Sequence, residues 1–196
     1  MKYTILLVLC LIGCNGLSQH PILSSFTFNN VDDGIALSFV IAGGNTCNGI
    51  DVFHKVGDSG VFRLAGQIPG ICGHSSNDTR YDYVHETPSP LDTNYYYLDF
   101  GGIGPSEPVK IYYVPFNGNE LVISQLNASL TVYINNTAFN GAQVSLYNLN
   151  GALIAVKTAR QGITQFSFIP PGQILIVHVQ NPENQVLVQK VISLRP

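Results

Sequence analysis

Two groups of residues in the first half of the chain could do chemistry. Cys47, His54, Cys72 and His74 offer two thiolates and two imidazoles, a donor set that zinc accepts. Their spacing matches none of the ligand ladders that gather such donors. Asp51, Asp82 and Asp99, with His85, offer carboxylates and an imidazole for general acid–base hydrolysis. These four fall at alternating positions of apolar and aromatic runs, where a polar side chain belongs to the solvated outer face of a strand. No stretch has the pattern of a nucleophile elbow or a metal-binding helix. The expectation is a protein that is not an enzyme, with no catalytic residue, no metal site and no cofactor. His54 is expected on the open face of its strand and His74 in a loop.

The elements that must position these residues read as strands. Glycine and proline interrupt the chain about every ten residues, no stretch longer than a turn carries helical periodicity, and ten Tyr and ten Phe stand among many Val and Ile. The first series runs Ser25–Phe28, Ile35–Ile41, Ile50–Lys55, Gly60–Ala65, Tyr81–His85, Asn94–Phe100 and Val109–Val114. That makes about seven strands, the number expected of an immunoglobulin-like sandwich. A turn at Asp32–Gly34 and a loop at Gly57–Gly60 join neighbours. Ile35, Leu37, Phe39 and Ile41 share one face. Tyr81, Tyr83, Tyr95 and Tyr97 form alternating stripes. Packing into the core is their expected fate, and an exposed stripe would suit a protein or glycan ligand.

A turn-rich boundary at Pro115–Asn119 precedes a second series. Val144–Tyr147 and Ala152–Val156 flank Asn148-Leu149-Asn150-Gly151, a hairpin signal because Gly151 accepts positive φ. Thr164–Phe168, Gln173–Val179 and Gln185–Leu194 follow, with a turn at Pro170-Pro171-Gly172. No strand is assigned upstream of Val144 in this part. Residues 19–118 carry ten acidic and four basic side chains; from Asn119 onward two acidic and four basic remain. The step in charge marks two modules, and neither half has the clustered basic face that nucleic acid requires. The fold class expected is all-β: two consecutive immunoglobulin-like β-sandwich modules over residues 19–115 and 116–196, after a signal peptide over residues 1–18.

The signal peptide is read from Lys2, the apolar run Tyr3–Ile12 and the small residues that follow. The run is too short to span a bilayer, and no later segment could form a transmembrane span in the mature chain. Cleavage between Ser18 and Gln19 is expected. The alternative is Leu11-Ile12-Gly13-Cys14, which resembles a bacterial lipobox and would make Cys14 a lipidated first residue. Cys10 and Cys14 thus leave with the signal or stay at its edge. Cys47 and Cys72 remain in an oxidising compartment, where a disulfide is expected and free thiols are the other outcome. Closing a loop of about 25 residues stabilises a fold by roughly 3 kcal/mol. The two cysteines are expected just outside their strands, at one end of a sheet.

Tyr81-Asp82-Tyr83, the proline-bearing corner at Pro88–Leu91 and Asn94-Tyr95-Tyr96-Tyr97 resemble the E to F strands of fibronectin type III domains. Asn45–Ile50, Gly70–Gly73 and Gly101–Glu107 look like a variant found in exported proteins of Bacteroidetes. The second module resembles the type A C-terminal sorting domain of the type IX secretion system. Asn150, Gly151, Gly172 with its following apolar strand, and Lys190 in the terminal Gln189-Lys190-Val191-Ile192 carry that likeness. The resemblance implies partners, namely the type IX secretion machinery and its sortase-like peptidase. It also implies a secreted or cell-surface location on the outer membrane exterior. The function expected is a non-catalytic exported protein whose second module directs secretion and surface attachment. The alternative is a surface adhesin or glycan-binding protein, anchored through Cys14.

Overall fold

The computed structural model describes residues 20–126, 128–135, 139–169, 172–184 and 186–193. Its first part contains β1 (Leu23–Val31), β2 (Gly34–Ile41), β3 (Asn45–Val56), β4 (Arg63–His74), β5 (Thr79–His85), β6 (Thr93–Phe100), β7 (Gly104–Pro105) and β8 (Val109–Tyr112). The second contains β9 (Leu121–Leu126), β10 (Ser129–Ile134), β11 (Gln143–Asn148), β12 (Leu153–Thr158), β13 (Ile163–Phe166), β14 (Ile174–Gln180) and β15 (Val186–Ser193). The chain is all-β, and its sheets form immunoglobulin-like sandwiches.

Sheet order is the same in both parts. In the first, β1-β2-β5 faces a sheet in which β4, β3 and β6 are neighbours and β7 and β8 both pair with β6. In the second, β9, β10 and β13 form one sheet and β12-β11-β14-β15 the other. Alternation along the strands builds the interior. Ile35, Leu37, Phe39 and Ile41 of β2 are fully buried and meet Ile50, Val52, Leu98 and Phe100 from the facing sheet. Leu130 and Val132 of β10 meet Val144, Leu146, Leu175, Val177 and Val179 in a separate cluster. Each such side chain contributes roughly 1.5–3 kcal/mol when taken from water.

The Asn148–Gly151 hairpin closes locally. The Asn148 carbonyl accepts from the Gly151 amide at 3.0 Å, and its side-chain oxygen accepts from the amides of Asn150 and Ala152. Gly151 takes a φ of +77°, a conformation in which Cβ-bearing residues are strained.

Two expectations need correction. Strands β9 and β10 occupy Leu121–Ile134, where none was assigned. Their Ser, Thr and Gln content weakens the local pattern, and they form because Leu121, Leu130, Val132 and Ile134 complete the second core. The strands β3 and β4 are also longer than expected. Asn45–Gly49 and Gly66–His74 lie outside the expected strands Ile50–Lys55 and Gly60–Ala65, but the ladder passes through them with a register shift at Asn48/Ile50 that absorbs Gly49. Cys47 and Cys72 therefore sit inside the ladder as direct cross-strand partners.

Candidate binding face and its buried support

The strand β6 has opposite characters on its two sides: Asn94, Tyr96, Leu98 and Phe100 point inward, and Tyr95, Tyr97 and Asp99 point outward. On the inner side, Asn94 is fully buried and organises a polar cluster at one end of the first sandwich. Its amide nitrogen donates to the carbonyls of Ser89 and Asp92 at 2.9 and 3.0 Å. Its oxygen accepts from the Ser89 amide at 2.8 Å and lies 2.8 Å from His54 Nε2. With both amide groups committed in this way, His54 must carry a hydrogen on Nε2. The His85 ring lies 4.5 Å from that of His54, and its Nδ1 is 2.7 Å from the Tyr96 hydroxyl. The buried phenol needs an acceptor, so Tyr96 donates to His85 Nδ1, leaving His85 Nε2–H to face the Thr87 hydroxyl at 3.5 Å. Burial, and then the neighbouring His54, pulls the His85 pKa down to about 4. Burial raises the Tyr96 phenol, with smaller contributions from Tyr83 and Tyr113. A neutral His85 imidazole and a protonated Tyr96 phenol make this a hydrogen-bonded support for the corner.

The outer side is aromatic. Phe53 of β3 and Tyr97 of β6 are cross-strand partners with rings 4.8 Å apart and 9° from parallel. Phe62, in the loop before β4, meets Tyr97 edge-on at 4.7 Å. Lys55 lies opposite Tyr95, with Nζ 4.7 Å from the Tyr95 ring centre and 5.2 Å from that of Phe62. The same ammonium donates to the Asp58 carbonyl at 3.0 Å, while the Tyr95 hydroxyl donates to the Asp58 carboxylate. That hydrogen bond raises the Tyr95 pKa. These contacts hold four rings in place, and Val61 and Leu64 beside them are 77% and 50% exposed. The plate ends at Asp51, which lies opposite Asp99 and accepts from the Gln67 amide at 2.9 Å.

The structure thus separates residues that the sequence groups together. Cys47 and Cys72 form a disulfide, with Cα atoms 5.0 Å apart. Their thiolates are therefore unavailable to zinc. His54 and His74 lie at opposite ends of the β3–β4 hairpin, so the four-residue donor set does not assemble. His54 faces inward rather than onto the open face, and His74 closes β4 rather than sitting in a loop, its Nδ1 accepting from the amides of Ser76 and Asn77. His85 is buried rather than solvated. Asp82 does lie on an exposed face, apart from Asp51 and Asp99. Hydrogen bonds from Arg80 and then Ser38 hold its carboxyl below the usual range. Tyr81 and Tyr83 pack against the first core, as expected of that stripe, and the Tyr83 hydroxyl donates to the Ala65 carbonyl at 2.6 Å. Tyr95 and Tyr97 go to the outer plate instead, and Tyr96, between them, takes the core position.

The remaining positions named from the sequence are dispersed. Asn150 and Gly151 form the β11–β12 turn, Gly172 has a φ of +76°, and Lys190 pairs with Val177 in the β14–β15 ladder. Cys14, Ser18 and Gln19 lie outside the described residues. Phe53, Phe62 and Lys55 were missed by the sequence reading. The available signal was the outward phase of Asp51, Phe53 and Lys55, opposite to that of Ile50 and Val52.

No protein-family model matches the chain, and no curated protein does. Solved structures similar to it include a two fibronectin type III domain segment from chicken tenascin, at 14% identity over 87% of this chain and 98% of that one, with a TM-score of 0.37. The first three fibronectin domains of chicken CNTN1 match at 14% identity over 89% of this chain and 66% of that one, TM-score 0.34. A BSP domain of a biofilm-associated protein matches at 12% identity over 88% of this chain and 30% of that one, TM-score 0.29. Likenesses at this level carry nothing about function.

Proposed function

We propose that this is an exported, non-catalytic binding protein. In this reading the outer face of the β4-β3-β6-β8 sheet docks an extracellular protein partner. The second sandwich serves as a sorting domain, read by the type IX secretion machinery and removed by its sortase-like peptidase. The observation that carries the binding role is the plate of Phe53, Phe62, Tyr95 and Tyr97, an outer sheet face of rigid rings bordered by exposed Val61 and Leu64. Aromatic anchors with few rotatable bonds lose little entropy on docking, and the Asp51–Asp99 end supplies a polar rim. The disulfide supports life in an oxidising compartment. The sorting role rests on the resemblance carried by Asn150, Gly151, Gly172 and Lys190.

Whole-cell binding isotherms of the purified protein test the first part. Tyr97→Ala and Leu64→Asp should each weaken retention on the exporting cells about tenfold, or about 1.4 kcal/mol. Arg80→Ala, on the other sheet, should leave it unchanged. Equal retention of all variants would sink the docking face. Mass spectrometry of surface material tests the second part: a mature form beginning at Gln19 and ending near Asn119 is expected. Retention of the second sandwich, or an acyl group on Cys14, would favour a lipid-anchored adhesin instead.

A further inference from the structure

Where the two sandwiches meet, Tyr112 at the end of β8 lies against Tyr133 of β10, their rings 5.8 Å apart and 20° from parallel. The Tyr133 hydroxyl donates to that of Tyr112 at 3.1 Å, and Tyr112 donates onward to the Leu91 carbonyl at 2.8 Å. The Asn30 side chain holds the Tyr112 carbonyl at 3.2 Å. This chain of contacts forms one wall of a cavity of about 410 Å³. Its floor is the outer face of the β9-β10-β13 sheet, where Ser124, Thr131 and Gln165 stand side by side in register across three strands.

The chemistry of this cavity is narrow. None of the nine described residues that line it is charged, although the first module carries ten acidic side chains. A nucleic acid, a phosphorylated peptide or an acidic glycan would require cations, and a basic peptide would require carboxylates. The polar groups present are hydroxyls and primary amides. The side chains of Ser124, Gln125, Ser129 and Gln165 make no hydrogen bond to other described residues, so their donors and acceptors are open to a ligand. A primary amide presents a donor and an acceptor in one plane, matching adjacent hydroxyls of a sugar ring. Leu126, 72% exposed, and Tyr112, 40% exposed, add apolar surface for the C–H face of such a ring. The volume lies in the range of small-molecule sites, which favour module junctions.

We propose that this inter-module groove binds an uncharged oligosaccharide. The site is separate from the aromatic plate, and its test does not depend on that reading. Isothermal titration of the purified protein with maltohexaose, cellohexaose and chitohexaose, with a heparin hexasaccharide as the anionic comparison, decides it. At least one neutral hexasaccharide should bind with a Kd tighter than about 1 mM and with little dependence on salt. Gln165→Ala should weaken that binding about tenfold, and Ser124→Tyr, which fills the floor, should abolish it. Both positions are on the outer sheet face, and unchanged thermal unfolding would show that the variants fold. Tyr97→Ala should leave saccharide binding intact while reducing retention on cells. The proposal is overturned if no neutral hexasaccharide binds at ~5 mM, if binding survives Ser124→Tyr, or if only the heparin fragment binds.

Discussion

The two sandwiches share one strand order and are held together by different chemistry. The first buries a disulfide and a hydrogen-bonded cluster of His54, His85, Asn94 and Tyr96 among its apolar residues. The second relies on aliphatic packing, with Phe139 and Phe166 as the aromatics of its core cluster. Their edges differ too. The β4 edge is interrupted by Pro69, which has no N–H to offer another chain, whereas β12 has no proline; both expose apolar side chains, Leu64 and Ile71 on the first and Leu153, Ile154 and Val156 on the second. The comparison teaches that this topology requires alternation and closure but no particular core. The first sandwich places directional bonds at its corner and leaves its outer face to aromatic rings, while the second presents hydroxyls and amides on the sheet that faces the groove.

If the polar cluster is what distinguishes the first sandwich, Asn94→Ala should have the largest effect. It leaves the Ser89 amide and His54 without their acceptor and two carbonyls without their donor, a destabilisation of roughly 3–4 kcal/mol. Hydrogen exchange should report faster opening in β3, β5 and β6 and little change in β11 and β14. Equal loosening of both halves would show that the sandwiches unfold as one unit. Next comes the Cys47→Ser/Cys72→Ser double variant, with an expected loss of roughly 3 kcal/mol from the chain entropy of the opened loop. Chemical denaturation should move the first sandwich alone, and an unchanged midpoint would remove the disulfide from the contrast.

The smallest effect separates the two halves by pH. His85 titrates near 4 when folded, against 6.5 for an unperturbed imidazole. Between these values the unfolded chain takes up a proton that the folded one refuses, so stability is full above about pH 6.5 and declines as pH falls towards 4. With solvent screening part of this effect, the loss is on the order of 2 kcal/mol. Urea melts across this window should show the first sandwich weakening on acidification, and His85→Phe should flatten that slope. A slope that survives the substitution would assign the acid sensitivity to another group.

Much of the fold was legible in local pattern. The alternation of Ile35 to Ile41 and of Leu175 to Val179 marks strands by their period of two, and Asn148–Gly151 marks a hairpin because glycine alone adopts its backbone angles without strain. The cysteine pair followed from counting the thiols that remain outside the apolar N-terminal run. The candidate face was less legible. On β6 both phases carry tyrosine, so periodicity separates Tyr95 and Tyr97 from Tyr96 without saying which set is buried. His54 read as a solvated residue because its need for a buried acceptor is met by Asn94, 40 residues away.

The all-β class, most of the strand positions and the choice of cysteines that could pair follow from local sequence, since turn chemistry and side-chain alternation act over a few residues. Which face of each strand looks inward, the joining of β9 and β10 to β13, and the meeting of Tyr112 and Tyr133 over the groove were set by the packing of distant segments. Those outcomes depend on burial and hydrogen-bond satisfaction between segments tens of residues apart, and no local period records them.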